Sequence, residues 1–347
     1  MTSLNVSAGN PPVLHRGRRF MLHVGVSICV VALTLLPWYA GFATQRLMVE
    51  ALTLFTIALA WNLLAGYGGM VAIGHHVFVG IGAYALFAAS NELGLNPWLA
   101  LPLAGAVSAM FALLFAWPMF RLSGAYFAVG TWVLAELMRI VALNTQWLGA
   151  GAGMPLTAMG GFGRFERNAW VYWSALVVAV LAIATAHNML KGRLGLALMS
   201  LRDAPQAATA SGVPVARAKL ALWVLTATIT GLAAGVAYMN TLQVSPDASF
   251  SLNWTAAAIF IVVLGGIGTL EGPFLGVLVY FALREAFSDH GAWYFIGLGS
   301  LAIAVMVLAP AGLWGWISRN GRIDLLSVRR HMPAATHLSN HHEEELP

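Results

Sequence analysis

Residues able to do chemistry are few in this chain, and none of them forms a recognised catalytic set. Its two lysines, Lys191 and Lys219, are followed by glycine and leucine. A phosphate-binding loop needs a lysine followed by serine or threonine after a glycine-rich turn, so neither position completes one. No HExxH zinc pattern and no GxSxG nucleophile elbow occurs either. The sequence therefore predicts a protein that is not an enzyme, with no catalytic residues, cofactor or metal.

Two other groups of polar residues lie inside or beside apolar runs. Glu136 and Arg139 are three positions apart, which places them on one face of a helix where they can form an ion pair. An ionisable residue within the membrane is costly and often marks function, but a paired one favours a structural role over contact with a substrate. His75 and His76 precede another apolar run, and a hydrogen-bonded structural role is favoured there over a ligand or a proton relay.

The elements that must position these residues are membrane helices. Of the 347 residues, 59% are hydrophobic and only 9% are charged, whereas soluble domains have about 25% charged residues. The net charge is +5, but the basic residues lie in short stretches between apolar runs. This pattern is typical of membrane topology signals and argues against a nucleic-acid partner.

The apolar runs predict an all-α integral membrane protein with about ten transmembrane helices. A span needs about 20 apolar residues, and the predicted spans lie near 21–40, 46–65, 76–91, 98–117, 124–144, 170–188, 218–242, 255–267, 273–288 and 292–311. The region 255–287 is divided because GGIGTLEGP interrupts it at 265–273. The number of spans stays open between eight and ten, and ten spans are compatible with a five-plus-five repeat.

The basic residues predict the orientation. With ten spans and the N-terminus inside, thirteen lysines and arginines fall on the cytoplasmic side and four on the outside, namely Arg46, Arg164, Arg167 and Arg284. Both termini are therefore predicted to be cytoplasmic. The predicted organisation is a cytoplasmic segment over 1–20, a transmembrane domain over 21–311 with a cytoplasmic loop at 187–219, and a cytoplasmic, partly disordered tail over 312–347.

Two glycine-rich segments, 66–82 and 265–276, interrupt the apolar runs. Small residues let membrane helices pack closely, while paired glycine-interrupted segments can also mark a substrate route. Tight packing is favoured for most single glycines. The pathway candidates are Gly66, Gly69, Gly74, His75, Gly80, Gly265, Gly266, Gly268 and Gly272.

Four stretches together resemble one family. They are NLLAGYGGMVAIGHHVFVGIGAYA (62–85), RLSGAYFAVGTWVLAEL (121–137), GRLGLALMSLRDAPQAATASGVPVARAKL (192–220) and VLGGIGTLEGPFLG (263–276). In this order and spacing the chain resembles the LivM-type permeases of ABC importers, which are membrane subunits for branched-chain amino acids and related substrates.

The resemblance implies a permease subunit in the bacterial cytoplasmic (inner) membrane that forms a translocation path. Its implied partners are the lipid bilayer, a second permease subunit, two cytoplasmic ATPase subunits and a substrate-binding protein outside. An Ala-Ala then Gly pattern in the cytoplasmic loop would contact the ATPase. The residues implied in this coupling are Arg202, Asp203, Ala207, Ala208 and Gly212.

Alternatives stay open for the substrate and for the class of transporter. The stretch GAGAGMPL (149–156) lacks the polar side chains typical of the family there, so branched-chain or other amino acids, urea or amides, and small organic acids all stay open. An ion-coupled secondary transporter of a small polar solute is the alternative function. It would need unpaired carboxylates within spans, whereas Glu136 and Glu285 each have an arginine nearby.

Overall fold

Helices dominate the structure, because a chain within lipid must satisfy its backbone hydrogen bonds internally. The computed structural model describes residues 32–203, 214–287, 293–309 and 311–321. After a helical stretch over 32–39, the helices in chain order are α1 (Phe42–Asn62), α2 (Val77–Asn91), α3 (Pro97–Met119), α4 (Ala125–Asn144), α5 (Arg164–Lys191), α6 (Arg193–Asp203), α7 (Val215–Thr241), α8 (Pro246–Ser249), α9 (Leu252–Gly265), α10 (Gly272–Phe287), α11 (Trp293–Leu308) and α12 (Gly312–Gly321).

The predicted spans correspond well to these helices. Each of the nine spans predicted after the first overlaps one of the helices α1–α5, α7 and α9–α11, and most of the first, 21–40, lies outside the described residues. Eight helical segments of the described part are long and apolar enough to cross a membrane. Helix α10, with 16 residues, is not among these eight. The chain is thus an all-α, multi-pass membrane protein.

Three details differ from the predicted boundaries. Helix α5 begins at Arg164, six positions before the predicted span, so the glycine-rich connection after α4 ends at Gly163. Helix α9 begins at Leu252 because the Ser251 hydroxyl caps the N–H of Asn253. A further helix, α6, lies within the predicted loop 187–219.

The centre of the bundle is formed by α2, α3 and α7, which pack against one another, and by α1, which packs against α7. Every residue of α1 from Thr53 to Asn62 is buried. Glycines bring some helices into backbone contact: a Cβ built on Gly82 would lie 2.5 Å from the Cα of Gly231 on α7. This close approach is the packing role expected of small residues in membrane helices.

Helices α3 and α4 each expose many large apolar side chains. Those on α3 are Leu99, Leu103, Met110, Leu113, Leu114 and Trp117, and those on α4 include Tyr126, Val129, Val133, Leu137 and Ile140. In water such a surface would be unfavourable. It is suited to contact with lipid or with another membrane subunit.

One end of the bundle holds the two short strands β1 (Met154–Pro155) and β2 (Gln243–Val244), which pair antiparallel. We call it the sheet end. Strand β1 belongs to the connection between α4 and α5, and β2 follows α7. Asn91, at the end of α2, binds the same connection: its Nδ2 donates to the carbonyl of Pro155 over 2.8 Å, and its Oδ1 accepts from the N–H of Thr157.

Candidate functional site

The two glycine-rich segments predicted from the sequence meet at the end of α1. Asn62 is fully buried. Its Oδ1 accepts from the N–H of Gly268 over 2.8 Å, and its Nδ2 donates to the carbonyl of Thr269 over 2.7 Å. One carboxamide thus satisfies a donor and an acceptor of the backbone between α9 and α10, where no helix supplies partners.

Gly66 completes this contact, which we call the glycine junction (Asn62, Gly66, Gly268 and Thr269). A Cβ built on Gly66 would lie 2.5 Å from the Asn62 Oδ1 and 2.6 Å from the Gly268 nitrogen, so any larger residue would separate the two segments. Gly268 adopts a φ of +75°, and Gly266 a φ of +128°. Residues with a Cβ rarely adopt these values. Gly265 and Gly272 pack backbone to backbone at the break between α9 and α10.

The helix geometry is irregular on the α1 side of the glycine junction. A π-helical turn, Leu63–Tyr67, follows α1, and such turns are frequent at functional sites. The chain then leaves helical geometry until the 3-10 turn Ile73–His76, with Gly69 at a φ of +65°. The indole Nε1 of Trp61 holds this segment by donating to the carbonyl of Ala72 over 2.9 Å.

The 3-10 turn before α2 is bound to three neighbouring helices through threonines. The N–H of Gly74 donates to the Thr131 Oγ1 over 3.1 Å, and the Nε2 of His75 is hydrogen-bonded to the Thr230 Oγ1 at 2.8 Å. The N–H and the Nδ1 of His76 both bind the Thr255 Oγ1, each at 3.0 Å. Both histidines and all three threonines are buried. This set holds the start of α2 against α4, α7 and α9.

Two of the pathway candidates in this region serve close packing. A Cβ built on Gly74 would overlap the backbone carbonyl of Thr131 on α4, and one on Gly80 would overlap the ring of Phe250. Gly69 instead lines a cavity of about 310 Å³, together with residues of the 122–128 segment and Lys219. The candidates therefore lie in several environments and do not form one cavity.

Glu136 and Arg139 are in contact on α4. The guanidinium of Arg139 donates to both carboxylate oxygens of Glu136 at 2.6–3.0 Å and also reaches the Oδ1 of Asp247 on α8 at 2.6 Å. The side chains of Glu136 and Arg139 are 48% and 29% exposed. The ion pair therefore lies on an open face of the isolated chain and joins α4 to α8.

Sequence reasoning did not identify several polar partners. Asn62, the three threonines and Asp247 are single polar residues in or beside apolar runs, and that isolation is the only signal the sequence carries for them. The ion pair between Arg284 on α10 and Glu50 on α1 was also missed, with N–O distances of 2.5 and 2.9 Å. Its residues are 234 positions apart, beyond any local pattern.

Of the residues implied in ATPase coupling, Arg202 and Asp203 lie at the end of α6. Ala207, Ala208 and Gly212 lie outside the described residues. Helix α6 packs against α5 and α7 and contacts the π-helical turn after α1.

The structure is that of a multi-pass membrane protein in which interrupted helices meet at the glycine junction. The sequence model described as the permease component of branched-chain amino acid transport systems matches residues 43–310. The chain belongs to this family.

Its similarity to characterised members is moderate and extends over most of the chain. The High-affinity branched-chain amino acid transport system permease protein LivM of Salmonella typhimurium is 29% identical over 303 residues, which cover 80% of this chain and 71% of that protein. LivM of Escherichia coli is 29% identical over 314 residues, 82% of this chain and 74% of that protein. A probable LivH permease protein of Methanocaldococcus jannaschii is 23% identical over 256 residues, 68% of this chain and 80% of that protein. No solved structure matches the chain.

Proposed function

We propose that this chain is the membrane-spanning permease subunit of an ATP-dependent importer for branched-chain or other amino acids in the bacterial cytoplasmic membrane. It forms the translocation path with a second permease subunit, receives its solute from a binding protein outside, and depends on two cytoplasmic ATPase subunits. The relatives named for branched-chain amino acid transport support this substrate class.

The glycine junction is the observation that carries the proposal. Glycine-interrupted segments in the two halves of a transporter mark substrate routes. Here one such segment follows α1, the other separates α9 from α10, and Asn62 joins them. We infer that the path passes this junction.

The contacts at the sheet end support the predicted alternation of the spans, while the cytoplasmic position of the termini rests on the distribution of basic residues. The segments that meet there, namely the end of α2, the connection after α4 and the segment after α7, all fall outside in the ten-span arrangement. The glycine junction joins the end of α1 to the α9–α10 connection, both inside in the same arrangement. If the spans crossed the membrane in a different alternation of directions, these contacts would join loops from opposite sides of the membrane.

The coupling to the ATPase is assigned to the loop between α5 and α7. Helix α6 is adjacent to the π-helical turn after α1, so a force on this loop has a short route to the glycine junction. Ala207, Ala208 and Gly212 follow α6, and small residues allow a partner to approach closely.

The experiment that tests this function introduces Gly212→Trp or Ala208→Trp into the complete importer. Both variants are expected to abolish ATP-driven uptake and to reduce ATPase retention on purification, while the amount of permease in the membrane is unchanged. Ser200→Trp, at an exposed position of α6, is the matched control and should retain uptake. Normal uptake and normal ATPase retention in both loop variants would refute the coupling assignment.

The ion-coupled alternative receives less support. Glu50 and Glu136 both have their carboxylate oxygens bound by an arginine, whereas a coupling site needs a carboxylate that can bind the ion. Uptake by the isolated chain in vesicles, driven by a proton or sodium gradient without ATP, would reverse this preference.

A further inference from the structure

A cavity on the sheet end lies where α1 and α5 begin and α7 ends. It has a volume of about 410 Å³, within the range of roughly 300–1,000 Å³ typical of small-molecule sites. We call it the arginine cleft. Its lining residues are Phe42, Ala43, Arg46, Leu47, Glu50, Arg164 and Asn240.

Three arginines converge on this cleft. Arg46 and Arg164 line it, and Arg284 holds Glu50, the only acidic residue among the lining residues. These three are among the four basic residues that the predicted orientation places outside, where lysine and arginine are otherwise scarce. Topology signals do not require these three arginines to lie around one cavity.

The cleft has an excess of positive charge. Both oxygens of Glu50 are bound by Arg284, so this carboxylate is already neutralised by a residue other than the two lining arginines. The guanidinium of Arg164 lies over the ring of Phe42, 4.8 Å from its centroid. Within the described residues, neither Arg46 nor Arg164 forms an ion pair. The positive end of the α5 dipole adds to the same potential, because Arg164 is the first residue of that helix.

The cleft is also connected to the glycine junction through α1. Arg46 lies near the start of α1 and Asn62 lies sixteen positions later at its end, so the two sites are about 24 Å apart along one helix. The last part of α1, from Thr53 to Asn62, is buried throughout. A ligand in the cleft therefore contacts the helix that carries the junction.

We propose that the arginine cleft is a binding site for the carboxylate of the transported solute, with Arg46 and Arg164 as its ligands. The proposal rests on the proposed function and deepens it, since it selects solutes that bear a carboxylate, such as amino acids, over urea and uncharged amides. Guanidinium groups bind carboxylates through two parallel hydrogen bonds. Asn240, at the end of α7, supplies a further polar group to the solute.

The test uses the complete importer in vesicles, with radiolabelled leucine as the probe. Arg46→Gln and Arg164→Gln are expected to lower the uptake rate roughly tenfold each, the loss of one charge-assisted contact. Arg46→Lys, which keeps the charge, should recover part of the rate. Arg167→Gln is the matched control, because Arg167 is also placed outside but does not line the cleft. Its uptake should equal that of the parent.

Two further measurements distinguish solute binding in the cleft from other occupants. The first is the concentration of liganded binding protein that gives half-maximal uptake, which should be the same in the variants and the parent. If this concentration rises in the Arg46 and Arg164 variants, the cleft is reassigned to docking of the binding protein. The deficit should be equal in vesicles of neutral lipid and of anionic lipid. A deficit found only with anionic lipid would reassign the cleft to a lipid headgroup phosphate. Unchanged uptake in both variants would also overturn the proposal.

A direct measurement keeps this inference separate from the transport function. Saturation-transfer NMR on the solubilised parent chain should give a signal from leucine and none from leucinamide. The leucine signal should be much weaker with the Arg46→Gln/Arg164→Gln double variant. Equal leucine signals from parent and double variant, or none from the parent, would overturn the cleft assignment whatever the importer does. Absence of ATP-driven uptake in the parent importer would overturn the proposed function alone.

Discussion

Replacing Asn62 with leucine removes both hydrogen bonds that tie α1 to the backbone of residues 268 and 269, while an apolar side chain of similar size fills the same buried place. Side-chain hydrogen bonds in a membrane protein contribute about 0.6 kcal/mol on average and about 1.7 kcal/mol at most. Loss of two such bonds therefore lowers the free energy of unfolding by about 1–3 kcal/mol. At about 2–4 °C for each kcal/mol, Tm should fall by about 2–12 °C.

The assay is thermal unfolding in detergent micelles, followed by tryptophan fluorescence. Thr56→Val is the matched control, because Thr56 is equally buried on α1 but donates only to the carbonyl of Leu52 in its own helix. This isosteric change removes no contact between segments and should shift Tm by less than the Asn62 variant. Equal shifts in the two variants, or no shift for Asn62→Leu, would refute the reasoning that Asn62 joins the glycine segments.

Two other outcomes are expected. Gly74→Ala should lower Tm and the yield of folded protein, because the new Cβ overlaps the backbone of α4, whereas Gly161→Ala, with open space around it, should match the parent in the same unfolding assay. Cysteines placed singly at Ser200 and Gly160, in a Cys29→Ser background, should react with an impermeant thiol reagent from the cytoplasmic side and from the outside respectively; labelling of both from the outside would contradict the proposed orientation.

The positions of the helices could be predicted from the sequence, because each apolar run has to form its own helix in lipid. The break near GGIGTLEGP was also predictable, and α9 ends at Gly265 while α10 begins at Gly272. Boundaries were less accurate where polar residues extend a helix beyond its apolar run. Arg164 and Glu166 in the first turn of α5 have this effect.

The partners of the site residues could not be predicted in the same way. Arg139 and Glu136 are neighbours on one helix, so their contact follows from a spacing of three. Asp247 and Glu50 bind arginines 108 and 234 positions away, and such pairs depend on how helices are arranged. The sequence indicated both glycine segments separately, but it carried no signal that Asn62 would join them.

The pairing of β1 with β2 has a mechanical consequence for the connection between α4 and α5. This connection is held by the strand pair, by the N–H of Leu156 donating to the carbonyl of Leu242, and by Asn91. The connection is therefore ordered before any partner binds. A protein that binds to it loses little conformational entropy in ordering the loop. Its tip at 149–153 is constrained as well: Gly149 and Gly153 adopt positive φ values, and a Cβ built on Gly153 would overlap the carbonyl of Val244 in β2.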